Sequence, residues 1–179
     1  MKLYSSILFL SLFLFNSCSS TLENVATAFE AAQLDIVTGV KFYDINGEAI
    51  GQAGNPNTKK SDVLAIYPNP NDGNITVQCS NNEGFTVWIT RAEKYLEFSD
   101  FDYVNLNFNY EDELLETNKV LKGNTDLNIL AFDISLLGKG YYRLVAKDNI
   151  GNTLIENLYF DPAMTPNEMI AFLFEEFSE

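Results

Sequence analysis

Hydrophobic positions along this chain follow three patterns in turn, and each predicts a different element. Residues 7–15 are apolar except for Ser11, with Lys2 ahead of them and small polar residues behind. A bilayer core takes about 20 apolar residues, so this block is too short to span one and has the length of a signal-peptide h-region. Over 20–33 the spacing is helical, with Leu22, Val25, Ala26 and Phe29 recurring behind a Ser20/Glu23 capping box. From Asp35 the period changes to two. Strands are predicted over 37–43 with a return at 48–51, then 63–67, 74–79, 85–90, 103–109, 126–134, 140–147 and 152–160. The stretches 44–47, 68–73, 80–84 and 147–152 between them are dense in Asn, Asp, Gly and Pro, residues that accept turn geometry.

Many short strands with frequent turns and no βαβ rhythm predict a mainly β chain, an antiparallel β-sandwich of immunoglobulin-like type. An N-terminal tether helix precedes it and a C-terminal amphipathic helix follows. That last helix is announced by Thr165-Pro166-Asn167-Glu168, which supplies an N-cap, a proline for the first turn and a capping glutamate. Met169, Ile170, Phe172, Leu173, Phe174 and Phe177 then form a broad apolar stripe, with Glu175, Glu176 and Glu179 outside it. Two readings stand for the stripe: a lid on its own sandwich, or a docking element for a partner.

Charge and composition narrow the chemistry. Eleven Lys plus Arg stand against 25 Asp plus Glu, a net charge of −14 that repels phosphate backbones, so nucleic acid is no partner. The chain has no histidine, which removes the usual general base and the commonest metal ligand. Two cysteines cannot make a zinc-thiolate site. Two carboxylates could hydrolyse a glycoside without histidine, but no pair of acids is marked by spacing. The chain is therefore read as non-enzymatic, with no cofactor and no metal. Asp44-Ile45-Asn46-Gly47-Glu48 begins like a calcium loop but lacks the remaining oxygen ligands at loop spacing, so a hairpin turn is expected there and calcium is not.

Phe15-Asn16-Ser17-Cys18 resembles a bacterial lipobox, in which a small residue precedes the cysteine that is lipidated and becomes the first residue of the mature chain. Ser17 fits that pattern; Asn16 and Phe15 depart from its small residue and Leu. The resemblance implies lipid attachment at Cys18; ordinary signal cleavage just beyond Ser19 is the alternative. With Cys18 acylated, Cys79 has no intramolecular partner. It shares one face of a strand with Ile75 and Val77 and is read as a buried thiol. The resulting layout is a signal peptide at 1–17, the lipidated cysteine and tether helix at 18–35, the sandwich at 36–160 with an insertion near 91–126, and the amphipathic helix at 161–179.

Tyr67-Pro68-Asn69-Pro70, together with Asp133 followed by Gly140-Tyr141-Tyr142, resembles the type A C-terminal sorting domain of type IX secretion cargo. That family opens with a strand ending in a Y-P-N-P turn and closes with an aspartate, a short turn, a G-x-Y strand start and a final hairpin. The resemblance implies a sandwich in which Pro68 and Pro70 end a strand, Asn69 sits in the turn, Gly140 starts the next strand and Tyr142 packs inward. The chain departs from the pattern in its insertion near 91–126 and in the 19 residues from Asp161 that follow the last strand.

These readings converge on a non-enzymatic outer-membrane lipoprotein, a protein-binding accessory module of a cell-envelope assembly linked to type IX secretion. It would be held to the membrane by its lipid anchor. Because Ser19-Ser20-Thr21-Leu22 follows Cys18 and the first acid is Glu23, the periplasmic face is favoured over the cell surface. Two alternatives stand beside it. One is a surface glycan- or ligand-binding lipoprotein that uses Trp88 and the aromatic face over 103–110. The other is a secreted type IX cargo with a sorting domain.

Overall fold

The computed structural model describes residues 33–97, 103, 108 and 110–178. The leader, Cys18, the tether helix over 20–32 and most of the strand expected over 103–109 lie outside the described residues. A 3-10 turn at Gln33–Asp35 leads into β1 (Ile36–Val37), β2 (Gly39–Tyr43) and β3 (Ala49–Gly54). Then come β4 (Leu64–Tyr67), β5 (Asn74–Cys79), β6 (Phe85–Lys94), helix α1 (Asp112–Asn118), β7 (Lys119–Thr125) and β8 (Ile129–Asp133). The chain continues through β9 (Gly140–Asp148) and β10 (Thr153–Phe160) to helix α2 (Pro166–Glu176).

The mainly β sandwich predicted from the alternation is the fold. Its larger sheet runs β6–β9–β10, with β7 antiparallel on the far side of β6 and β1 parallel to the end of β6. The smaller sheet is β4–β5–β8, antiparallel throughout, and β2–β3 is a separate hairpin. Ile66, Ile75, Val77, Cys79 and Phe132 of the smaller sheet close on Val87, Ile89, Tyr142, Leu144 and Leu158 of the larger one. Gly123 of β7 permits this closure at the sheet edge, because a Cβ there would lie 2.7 Å from the Phe132 ring and 3.0 Å from Leu130. The hairpin turn rests on Asp44, whose carboxylate accepts the N–H groups of Asn46 and Glu48 at 2.8 and 2.9 Å, and on Gly47 at φ +82°. Only glycine adopts that backbone angle readily.

β9 and β10 of the larger sheet are buried along nearly their whole length, unlike β5, which alternates, and unlike the edge strand β7, which has no buried residue. Such continuous burial means that both faces of the sheet are covered at β9 and β10. The second face receives Val37, Val40 and Phe42 from the N-terminal strands and Met169 and Leu173 from α2, while α1, with its buried Leu115, lies beside β6. The span 91–126 thus begins and ends inside the larger sheet, since β6 continues to Lys94 and β7 begins at Lys119. The expected long insertion is correspondingly narrower. Tyr103, Phe108 and Tyr110 are buried but belong to no strand.

Candidate functional site

The Tyr67-Pro68-Asn69-Pro70 turn sits where three parts of the sandwich meet. Tyr67 ends β4 and donates its hydroxyl to Gln78 on β5 at 2.9 Å. Both prolines follow cis peptide bonds. Asn69 exchanges two main-chain hydrogen bonds with Tyr43, and its Nδ2 donates to the carbonyls of Lys41 at 2.7 Å and Asn157 at 2.9 Å. These bonds tie β2 to β10, which lie side by side without a ladder between them.

Two further asparagines complete the junction. Asn57 donates to the Ile36 carbonyl at 3.0 Å and accepts from the Thr38 N–H at 3.2 Å. Asn157 donates to the Gly39 carbonyl at 2.7 Å and to Asn57 Oδ1 at 2.8 Å. A primary amide carries both donor and acceptor, so it can occupy a gap where strand edges are too far apart to bond directly. Asn157 Oδ1 in turn accepts from the fully buried Arg143, whose Nε and Nη2 donate to Tyr110 Oη at 3.3 and 3.1 Å. The guanidinium lies 5.8 Å from the Phe108 ring centre. Arg143 is thus buried with its guanidinium hydrogen-bonded to neutral partners.

Successive side chains alternate along β10, so Glu156 points to the opposite face from Asn157. Its Oε1 accepts the Tyr43 hydroxyl at 2.9 Å and lies 4.0 Å from Lys41 Nζ; its Oε2 has no hydrogen-bond partner among the described residues. Burial pushes the Glu156 carboxyl above the usual carboxylate range, against the pull of Lys41 and Tyr43. Burial likewise lowers Lys41, with Glu156 opposing. A pocket of about 230 Å³ borders Glu156, Tyr43, Lys60 and Leu154.

A second cleft, of about 300 Å³, lies between the β2–β3 turn, the 68–72 loop and the start of α2. Ile45 and Ile50 stand on it at 76% and 59% exposure, and Ile170 of α2 joins them. Asn69 and Asn71, both fully buried, line it as well. Asn69 Oδ1 and Asn71 Nδ2 have no hydrogen-bond partner among the described residues. Asp44 and Asp72 are its charged lining residues.

The sequence-marked residues are placed as follows. Gly140 opens β9 beside the Arg91 guanidinium, and Tyr142 lies in the main core with its hydroxyl on the Gly138 carbonyl. Of the six apolar residues of α2, Met169 and Leu173 are fully buried. Phe172 stacks on Tyr159 with centroids 5.1 Å apart, Phe177 meets Tyr141 edge-on at 6.0 Å, and Phe174 meets Phe42 at 5.5 Å. Their stripe is occupied by the chain's own sandwich, which is the lid reading, while Phe174 remains half exposed. Met169, Phe172, Leu173 and Phe177 thus pack on the sandwich, whereas Ile170 is only partly buried and also borders the cleft.

Trp88 requires a correction. It is 4% exposed and donates its indole N–H to Glu116 at 2.8 Å. Glu116 also accepts from Lys119 and Lys122, and these bonds, Lys119's first, hold its carboxyl down to about 2. Tyr103, Phe108 and Tyr110 are buried too. None of these rings offers the open stacking platform that a glycan binder uses, because each is at least nine-tenths buried. Cys79 is a buried free thiol. Among the described residues no three acidic or thiol side chains converge as around a metal ion. No described helix is long and apolar enough to cross a membrane.

Sequence reasoning missed Asn57, Arg143, Glu156 and Asn157. For Arg143, Glu156 and Asn157 the available signal was a charged or amide residue in the middle of a long apolar strand, where burial on both faces forces it to find partners inside; Asn57, in the loop before β4, carried none. No protein-family model matches this chain, and no curated protein is similar to it. Among solved structures, a DUF3244 family protein with an immunoglobulin-like β-sandwich fold from Bacteroides vulgatus ATCC 8482 aligns at a TM-score of 0.36. The two are 9% identical, and the alignment covers 58% of this chain and 99% of that one.

Proposed function

We propose that this chain is a lipid-anchored envelope protein whose sandwich is a non-enzymatic, protein-binding accessory module. The observation that carries the binding role is the exposed apolar group formed by Ile45 and Ile50, with Ile170 in the same cleft and Phe174 one helical turn further on. Exposed apolar side chains that cluster, rather than scatter singly, mark interaction sites. Asn57, Asn157 and Arg143, by contrast, direct their hydrogen bonds to other parts of the sandwich.

The anchor reading rests on the sequence. Acylation of Cys18 after removal of residues 1–17 would place the sandwich at the outer membrane, on its periplasmic face. The two or three acyl chains of a bacterial lipoprotein hold stably where one alone binds only marginally. The link to type IX secretion rests on the Tyr67-Pro68-Asn69-Pro70 and Gly140-x-Tyr142 resemblance.

Membrane fractionation of the wild type and Cys18→Ala, with intact-mass analysis of the N-terminus, tests the anchor. Unmodified wild-type protein in the soluble fraction would refute it. Affinity purification of the tagged protein from gently solubilised membranes tests the module. Recovery of one stoichiometric protein partner supports it, and recovery of the chain alone from freshly lysed cells counts against it.

A further inference from the structure

We infer that the free edge of β8 pairs with the same edge of a second copy of this chain, antiparallel about a two-fold axis through Ala131. This goes beyond the protein-binding reading and does not depend on the lipid anchor. β8 ends the smaller sheet, with β5 on its inner side. Cys79 donates its N–H to the Asn128 carbonyl at 2.7 Å, and Ile134 donates to the Gly73 carbonyl at 2.7 Å. Residues along an antiparallel pair alternate between bonding the neighbour and facing away from it. The backbones of Asn128, Leu130, Phe132 and Ile134 therefore face β5, and those of Ile129, Ala131 and Asp133 face outward. All three outward residues are exposed, and among the described residues nothing pairs with their main-chain groups. β7 meets β8 through core side chains, where a Cβ on Gly123 would touch Phe132 and Leu130, and not along this edge.

Sheet edges of monomeric proteins are guarded by charge, proline or a bulge. β7 carries Lys119, Lys122 and a register shift, and the β2–β3 hairpin has a register shift at Phe42/Tyr43. β4 runs into Pro68, and Lys59 covers the outer side of β10 by exchanging two main-chain bonds with Ile155. β8 has no such guard. Ile129-Leu130-Ala131-Phe132-Asp133 pairs with β5 in unbroken register, and its one charge stands at the last residue.

The exposed leucines identify the occupant as a second copy. Leu127, at 68% exposure, precedes β8, and Leu136, at 94%, follows it on the 134–137 turn. A two-fold that uses all three outward residues sets Ala131 against its mate and Ile129 against the partner's Asp133, with about six main-chain hydrogen bonds. The same register brings Leu127 of each copy alongside the other's 134–137 turn, so both ends of the edge gain apolar cover. Ala131 on the axis leaves room for the strands to close. The two Asp133 carboxylates stand about 14 Å apart along the strands, beyond a Debye length of about 8 Å.

The test uses the full mature chain, left unacylated through Cys18→Ala, in sedimentation equilibrium. Its average mass should rise from one chain toward two between about 1 μM and about 300 μM, the range set by a small interface with a dissociation constant of about 0.1 mM. Each copy carries a net charge of −14, so raising salt from about 0.05 M to about 0.5 M should tighten the dimer about threefold. Ala131→Pro deletes an outward N–H and leaves the β5 bonds in place, and it should weaken the dimer at least about tenfold. Ala131→Lys keeps that N–H but sets two cations on the axis, and it should do the same. Ile150→Lys, on the β9–β10 turn, should change nothing. Register is read by cysteines in an oxidising buffer, Cys79 being buried. Ala131→Cys should give a disulfide-linked dimer, because facing residues lie about 5.5 Å apart, whereas Ile129→Cys, about 14 Å from its mate, should not. If the substitutions at 131 unfold the chain, Ile129→Cys against a mixed Ile129→Cys and Asp133→Cys sample decides, since only the mixture should crosslink. A chain still monomeric at about 300 μM overturns the inference and leaves the edge to a foreign strand. A dimer that loosens with salt, ignores both Ala131→Pro and Ala131→Lys, or crosslinks equally at 131 and 129 uses another surface and overturns it too.

Discussion

Replacing Leu173 with Ala tests whether α2 is part of the fold or an appendage to it. Leu173 is fully buried in the cluster formed with Val37, Val40, Phe42, Ala53, Tyr159 and Met169. The change removes three carbons, each worth about 0.8 kcal/mol of transfer free energy, or about 2.4 kcal/mol before any cavity is counted. A cavity that collapses only partly brings such losses to about 2–5 kcal/mol. At about 2–4 °C per kcal/mol for a domain of this size, the melting temperature should fall by about 6–12 °C for a loss near 3 kcal/mol. Phe174→Ala is the control on the same helix. That ring is half exposed and touches Phe42 edge-on, so its loss should cost only about 0.5–1.5 kcal/mol. Urea unfolding of both variants, followed by circular dichroism, reads the difference directly. If Leu173→Ala unfolds within about 0.5 kcal/mol of the wild type, α2 does not hold the sheet's second face.

Three further changes probe the interior. Asn69→Ala strands the carbonyls of Lys41 and Asn157, at about 1–3 kcal/mol each, and Asn69→Asp should not rescue it because a carboxylate has no N–H to give; denaturant midpoints decide. Gly123→Ala puts a methyl 2.7 Å from Phe132 and should cost about 1–3 kcal/mol of overpacking in the same measurement. Glu156→Gln tests the buried acid through pH. Because the fold raises the carboxyl of Glu156, its contribution is complete below the unfolded value and is lost as pH rises through the folded one. Thermal melts from about pH 4 to about pH 8 should therefore show the Gln variant gaining on the wild type as pH rises. A constant difference across that range would mean that Glu156 does not titrate in the folded protein.

The sandwich was legible because its smaller sheet is wet on one side. Ile75, Val77 and Cys79 alternate with polar neighbours, and that alternation survives in the sequence as period two. The C-terminal helix was legible for a similar reason: Thr165, Pro166 and Glu168 act on their own backbone, so their signal is local, and the capping box is present in full. Helix α1 left little trace. It is seven residues long, its N-cap Glu111 makes no side-chain cap bond, and Leu115 is its buried residue. The parallel pairing of Ile36 and Val37 with Glu93 and Lys94 depends on partners far along the chain, which no local pattern encodes. The burial of Trp88 was not legible because alternation says which face a residue takes, not whether that face is covered. The asparagine junction was hidden for a related reason. Asn69 looks like any turn residue until its side chain is seen between two strands that are remote in sequence.

That junction also governs the order in which the protein can assemble. Asn157 reaches the Gly39 carbonyl across 118 positions, and Tyr43 reaches Glu156 across 113. A chain emerging N-terminus first therefore presents β2 and β3 long before β10 exists to receive them. Until then Val40 and Phe42 have no sheet to cover. Native contacts of such long separation require loop closure before they return any stabilisation, which slows folding and prolongs exposure of sticky segments. Completion must wait for the last stretch of synthesis, when β10 and α2 arrive together and the two ends of the domain close over one another. Val40 and Phe42 accordingly stay uncovered in the nascent chain until the residues of β10 and α2 that pack on them, Tyr159, Met169 and Leu173, have been made.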